Sequence, residues 1–100
     1  MKTKRLNLSE AYDLYVLIKP VFPDEDKTDG DVFEFVNILI ENIIEYDPKL
    51  VSDILGLLSG AERDKILSMG TVEALEVLLE GLVENKIVSL MDFFDGIING

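Results

Sequence analysis

The sequence contains neither cysteine nor histidine among its 100 residues. Without cysteine it can form no disulfide scaffold and offers no thiol nucleophile. Without either residue the usual zinc ligands are missing, and histidine acid–base chemistry is excluded. The lack of cysteine also fits a reducing compartment.

Long hydrophobic runs are absent as well. The longest purely apolar run extends only from Leu14 to Ile18, far short of the ~20 residues that span a bilayer. The first residues form a basic tip with no apolar core and no small-residue cleavage site. We therefore expect no secretion signal and no membrane partner.

Basic residues are scarce: nine stand against twenty acidic residues, and the net charge is −11. Lys2, Lys4 and Arg5 are three of the nine, so the rest of the chain has a balance of −14. Such a body repels the phosphates of nucleic acids and anionic lipids, and we expect no nucleic-acid partner. The same charge helps to keep an exposed apolar patch in solution.

The hydrophobic residues, 48% of the chain, are spaced as in helices. They predict an all-α fold, a compact single domain of five or six short helices over residues 1–100, with residues 1–8 as a flexible or extended basic tip. The predicted helices run from Ser9 to about Lys19, Asp31 to Tyr46, Pro48 to Leu58, Ala61 to Ser68, and from Thr71 onward. Their predicted N-caps include Ser9, Asp47, Ser59 with the capping-box partner Glu62, and Thr71. At Asn85-Lys86 the chain could continue as one long helix, but a break or kink is favoured because Asn85 and the β-branched Ile87-Val88 are weak helix formers.

Two helical segments carry the strongest patterns. Residues 31–46 are apolar around most of the circumference, so this helix must be central or partly covered by another subunit. In the last segment an apolar stripe runs in steps of three and four, and its members Leu75, Leu79 and Leu82 are predicted to lie in the core. The whole stripe consists of Val72, Leu75, Leu79, Leu82 and Val83, then Ile87, Leu90, Met91, Phe94 and Ile98. Beside it runs a row of glutamates that reads as a solvated face: Glu73, Glu76, Glu80 and Glu84.

No pattern of catalytic residues accompanies these helices. The serines have no histidine to activate them, and no glycine-rich phosphate loop follows a strand. The acidic stretch Pro23 to Asp31 superficially suggests calcium, but glycine and glutamate do not fall at the sixth and twelfth positions of an EF-hand loop. We therefore predict neither an enzyme nor a cofactor, metal or small-molecule substrate; a carboxylate enzyme using Mg²⁺ is the weakest alternative.

Paired aromatic residues indicate a protein-binding surface. Phe33 and Phe35, like Phe93 and Phe94, point to different sides of their helices, so both members of a pair cannot easily enter one small core. A partner groove or a self-association surface would cover the remainder. The residues predicted for this surface are Val32, Phe33, Phe35, Ile40, Leu90, Phe93 and Phe94.

From Leu57 onward the chain resembles the tail assembly chaperones of long-tailed bacteriophages and their prophages. The matching features are Leu57-Leu58-Ser59-Gly60, the short charged helix Ala61–Leu67, Glu73-Ala74-Leu75-Glu76, Leu78-Leu79-Glu80, Glu84-Asn85-Lys86 and Asp92-Phe93-Phe94. Upstream, Leu6–Ile18 and the acidic linker look like the family's first helix. The motifs are degenerate and mostly hydrophobic, and they cover about forty residues well.

The resemblance implies binding and no catalysis. Such chaperones coat the hydrophobic tape measure protein, help to recruit tail tube subunits around it, and tend to self-associate in the cytoplasm of the bacterial host. The alternative hypothesis is an acidic helical inhibitor that mimics DNA and binds a DNA-interacting enzyme, which the net charge of −11 motivates.

Overall fold

The computed structural model describes residues 2–23 and 31–99. In these two stretches it contains six α-helices and no strand, which confirms the all-α prediction. The helices are α1 (Leu8–Ile18), α2 (Val32–Tyr46), α3 (Lys49–Ser59), α4 (Arg63–Leu67), α5 (Thr71–Glu84) and α6 (Ile87–Asn99), with a 3-10 turn at Lys19–Val21. The Cα radius of gyration is 12.9 Å, close to the value of about 13 Å expected for a compact chain of this length.

The first helix begins earlier than predicted. Asn7, and not Ser9, is the N-cap: its side chain accepts from the Glu10 N–H at 2.8 Å, and Glu10 Oε1 accepts from the Asn7 N–H at 3.1 Å. This reciprocal pair satisfies two amide groups that the first turn leaves without helical partners. Lys4 adds an ion pair to Glu10 at 2.6 Å and lowers the pKa of that carboxyl group.

The most hydrophobic helix, α2, begins where predicted. Asp31 Oδ1 accepts from the Phe33 and Glu34 amides at 2.9 and 3.3 Å, so Asp31 caps the helix. The helix packs against α3, α5 and the 3-10 turn. Its buried face consists of Phe35, Val36, Leu39, Ile40 and Ile43.

The connections on either side of α3 differ from each other. Asp47 Oδ1 accepts from the Lys49 N–H at 3.0 Å where α3 begins, although Pro48, and not the predicted Asp47, occupies the cap position of this helix. At the other end the predicted capping box is wrong, because Ser59 stays in α3 and its hydroxyl donates to the Leu55 carbonyl at 2.6 Å. Gly60 ends the helix with φ of 70°, a left-handed conformation that glycine adopts without steric cost. Helix α4 is consequently short, and Glu62 precedes it without a side-chain hydrogen bond.

Of the three α5 residues predicted for the core, Leu82 is buried, whereas Leu75 and Leu79 are only half-buried. The buried residues are Val77, Leu78, Gly81 and Leu82, whereas Val72 is exposed. Gly81 explains why the buried face of α5 is rotated away from the predicted one, since a Cβ atom there would lie 2.9 Å from Leu58 Cδ1 and from Thr3 Cγ2. Two other segments therefore press on the helix at Gly81, while Leu75, Leu79 and Val83 lie half-buried at the edge. Thr71 is also not a cap: it is the first residue of α5, and Gly70 occupies the cap position.

The break between α5 and α6 is confirmed at Asn85-Lys86. Lys86 turns the chain with φ of 50°. The basic tip, residues 2–7, lies without helical structure against this turn and against the end of α3, where the Lys4 N–H donates to the Leu58 carbonyl at 2.8 Å. In the described stretches the buried core contains no polar or charged side chain, and no helix has the length and apolar character needed to cross a membrane.

Candidate protein-binding surfaces

The structure divides the residues predicted for a binding surface into exposed and buried sets. Phe33 and Phe93 are more than half exposed, at 58% and 54%, and Val32 is exposed beside Phe33. Leu90 is half-buried. The remaining three, Phe35, Ile40 and Phe94, are buried in the core of the chain, and among them only Phe94 lines one of the grooves described below.

Helix geometry accounts for this division. Successive helical positions are rotated by about 100°, so the two rings of each pair, which stand one or two positions apart, point in different directions. In each aromatic pair one ring is buried and the other is exposed, as the sequence pattern predicted. Phe35 packs edge-on against Phe22, with ring centroids 5.2 Å apart, whereas Phe94 packs against Tyr15 at 5.4 Å.

An open groove of about 360 Å³ lies between α1 and α6. We call it the aromatic groove. Buried Phe94 forms its floor, and the exposed ring of Phe93 meets Phe94 edge-on at 5.1 Å. Apart from Phe93 and Phe94, its lining consists of Leu6, Asn7, Leu8, Ala11, Asn85, Lys86, Ser89 and Leu90. No carboxylate of the described residues lines this groove, so its recognition surface is apolar with a neutral or basic border.

The sequence prediction missed the α1 wall of this groove. This wall consists of Leu8, which is 69% exposed, and Ala11, while Tyr12 lies outside the lining with its ring 5.5 Å from that of Phe94. Leu8, Tyr12 and Val16 follow one another at a spacing of four, which is a second apolar row beside the buried Leu14 and Ile18. That spacing is the feature of the sequence that could have indicated an exposed apolar surface on α1.

A second groove, of about 520 Å³, lies between α2 and α5. Phe33, Leu79 and Val83 form its apolar surface, and we call it the acid-rimmed groove after its other lining residues. These are three members of the predicted solvated row: Glu76, Glu80 and Glu84. The glutamates therefore border an apolar depression that contains an exposed phenylalanine, and they do not form an isolated polar face.

A third depression, of about 330 Å³, lies where α3, α4 and α5 meet. Leu55 and Ile66 are buried beneath it, and Leu67 is 61% exposed at its edge. Among the described residues, its lining includes none of those predicted for a binding surface and no charged side chain.

A polar cluster fastens α1 to α6 behind the aromatic groove. The Tyr15 hydroxyl and the Lys19 ammonium both donate to Asp95 Oδ1 at 2.6 Å. These bonds, the one from Lys19 first, hold the pKa of Asp95 below its ordinary value. The bond to Asp95 in turn raises the pKa of Lys19 and the pKa of Tyr15. The cluster fixes the two helices that form the groove, with every member satisfied by another.

Acidic side chains do not gather into a metal site in residues 2–23 and 31–99, where no three of them could hold an ion together. The acidic stretch that superficially suggests calcium lies, from residue 24 to residue 30, outside the described residues. Among the described residues, the candidate binding sites are therefore the grooves.

The fold and these surfaces define a small all-α protein with apolar grooves of contrasting charge. The chain matches no family model, no curated protein and no solved structure.

Proposed function

We propose that the protein is a tail assembly chaperone of a long-tailed phage or prophage, which holds an amphipathic helix of the tape measure protein in its aromatic groove. The observation that carries the proposal is the exposure of Phe93 and Leu8 on opposite walls of this groove. The resemblance supports it, because Phe93 and Phe94 lie in the family-like segment and supply one wall and the floor of the groove.

The groove suits a helix for physical reasons. Two packed helices leave a furrow into which a third helix can place residues at positions i, i+3 or i+4, and i+7. Aromatic side chains bury large apolar areas at small entropic cost and dominate many such contacts. The net charge of −11 would keep the complex soluble while the partner's hydrophobic surface is covered.

In this role the protein acts as a binding module in the host cytoplasm, without catalysis or a cofactor. Tail tube protein is the expected second partner. Self-association through the same apolar surface would cover the groove when the tape measure protein is absent.

The test is co-expression with the tape measure protein of the same gene cluster. We expect a soluble complex on size-exclusion chromatography with light scattering, and its loss in the double variant Leu8→Asp/Phe93→Asp. Val72→Asp is the matched control, since Val72 is 70% exposed and lines neither groove. A tape measure protein that fails to co-purify with the wild-type chain would refute the proposal, and a strictly monomeric chain at high concentration would argue against self-association.

The alternative of a DNA mimic draws on the acidic rim of the other groove. Apolar side chains do not imitate phosphates, yet Phe33, Leu79 and Val83 lie among the carboxylates of this groove. Competition between the protein and DNA for a DNA-binding enzyme is the observation that would favour this alternative.

A further inference from the structure

The acid-rimmed groove has a composition unlike the rest of the surface. Its apolar part includes Phe33, whose ring is 58% exposed, and its rim is acidic, with no basic residue of the described chain in the lining. We infer that this groove binds a basic amphipathic helix of a partner protein. The inference concerns a second face and does not depend on the proposed tail-assembly role.

The shape of the groove indicates a helix as occupant. Leu79 and Val83 are one turn apart on α5, and Phe33 faces them from α2. A third helix lying between α2 and α5 can insert apolar residues spaced by three or four into this furrow. Such an insertion would remove the ring of Phe33 from water, which is the favourable term for burying apolar surface.

The charge of the rim determines which helix fits. Glu76, Glu80 and Glu84 stand at intervals of four on α5, a spacing at which like charges repel and destabilise a helix. Thr3 donates to Glu84 at 2.7 Å, while Glu76 and Glu80 form no ion pair with another described residue. Lysine or arginine residues beside the apolar face of an incoming helix would remove this repulsion.

The same charge argues against a second copy of the chain as occupant. Pairing two acid-rimmed grooves would bring two glutamate rows together in an interface between molecules that each carry −11. Juxtaposed like charges disfavour an interface strongly. The depression between α3, α4 and α5 has an uncharged lining, so it would not select a basic helix over an acidic one.

The probe is a synthetic amphipathic helix of about 18 residues, long enough to cross the groove. Its apolar face carries leucine and one tryptophan, and lysine flanks that face on both sides. Because the protein contains no tryptophan, the probe's fluorescence reports burial without background. We expect a blue shift and saturable binding to the full chain, and weaker binding as salt rises from about 50 to about 500 mM, since salt screens exposed charges.

Variants locate the site. Glu76→Lys/Glu80→Lys is expected to weaken binding by about tenfold or more, because two attractive charges become repulsive, and Phe33→Ser is expected to weaken it by a similar factor. The control Asp13→Lys/Glu62→Lys makes the same change in net charge on other faces and should stay within about twofold of the wild type. Circular dichroism melts verify that each variant is folded.

Several outcomes would overturn the inference. Equal binding of a peptide with glutamate in place of lysine would show that the groove does not select by charge. If the control variant weakens binding as much as Glu76→Lys/Glu80→Lys does, the weakening comes from the net charge of the protein and not from this groove. If Phe33→Ser instead lowers the mass of a self-associated species in light scattering, the groove is an interface between copies. The double variant Leu8→Asp/Phe93→Asp should bind the probe as the wild type does, so a failure of the proposed function and a failure of this inference are distinguishable.

Discussion

The Leu6 backbone N–H donates to the Oδ1 atom of Asn85 at 2.9 Å, across 79 positions of the chain. The side-chain nitrogen of Asn85, Nδ2, donates to the Lys4 and Gly81 carbonyls, both at 3.0 Å. One side chain therefore holds the basic tip against the break between α5 and α6. It also stands between the two grooves, because Asn85 lines the aromatic groove and Glu84 lines the acid-rimmed one.

Replacing Asn85 by alanine is expected to lower the free energy of unfolding by about 1–3 kcal/mol, because part-buried backbone groups lose their partners. Urea unfolding measures the loss, and hydrogen exchange at the Leu6 amide should accelerate along with it. Asn37→Ala is the control, since Asn37 is exposed on the polar strip of α2. If Asn85→Ala costs no more than Asn37→Ala, the tip is not held by this side chain.

A pair of glycine substitutions separates packing from helix propensity. Alanine at Gly81 would place a methyl group 2.9 Å from Leu58, which is fully buried, and from Thr3. Overpacking typically costs about 1–3 kcal/mol, and the gain of about 1 kcal/mol in helix propensity offsets only part of it. On α6, a methyl group added at Gly96 would meet no atom of the described residues within 4 Å, so Gly96→Ala should raise stability by about 0.5–1 kcal/mol.

Chemical denaturation of both glycine variants tests this contrast. A Gly81→Ala protein as stable as Gly96→Ala would show that Leu58 and Thr3 move aside freely. The double variant Gly81→Ala/Asn85→Ala should lose less than the sum of the single losses, because both changes loosen the same tip and neighbouring sites are not additive.

Much of the helical framework follows from local signals. Asp47-Pro48, Gly60 and Asn85 interrupt the helices where their conformational preferences predict. These signals act within a few residues, so the sequence alone suffices to interpret them. Ser9 fails for a local reason too: Asn7 has an acidic residue at the third helical position and forms a capping box, which outcompetes a lone serine.

The orientation of each helix depended on distant residues. The buried face of α5 is fixed by the approach of Leu58 and Thr3 to Gly81. Val77 and Leu78 mark this face in the sequence, but the pattern within α5 alone does not rank it above the predicted stripe. For the last aromatic pair the sequence gives two conflicting predictions, because Phe94 lies both on the apolar stripe and in the predicted binding surface. The packing of Tyr15 on buried Phe94 agrees with the stripe. The grooves combine residues from helices far apart in sequence, so they emerge only from the fold.

The left-handed residue between α5 and α6 offers a third test. Lys86 has φ of 50°, and a residue with a Cβ atom is destabilised by about 1–2 kcal/mol in that conformation. Lys86→Gly should therefore raise stability, by about 0.5–1 kcal/mol after the greater freedom of glycine in the unfolded chain is included. The matched control is Lys65→Gly within α4, where glycine should cost about 1 kcal/mol. Thermal melts that rank the two variants in the opposite order would contradict a strained turn.

The bonds from Lys19 and Tyr15 to Asp95 predict a pH dependence of stability. Because the folded state lowers the pKa of Asp95, its contribution is fully present above the unfolded value of about 4 and disappears as the pH falls through the folded pKa. The raised pKa values of Lys19 and Tyr15 act in the opposite sense: their contributions are present below their unfolded values of about 10 and are lost as the pH rises through the folded ones.

Asp95→Asn is therefore expected to be less stable than the wild type at neutral pH, and the difference should shrink below about pH 4, where the wild-type carboxyl group becomes neutral as well. Urea unfolding across the acid range measures both curves. Asp92→Asn removes a charge from an exposed position on the same helix and should follow the wild type closely throughout. A difference for Asp95→Asn that stays constant down to about pH 2 would mean that the ionised carboxylate does not fasten α1 to α6, and that the wall of the aromatic groove is held by apolar packing alone.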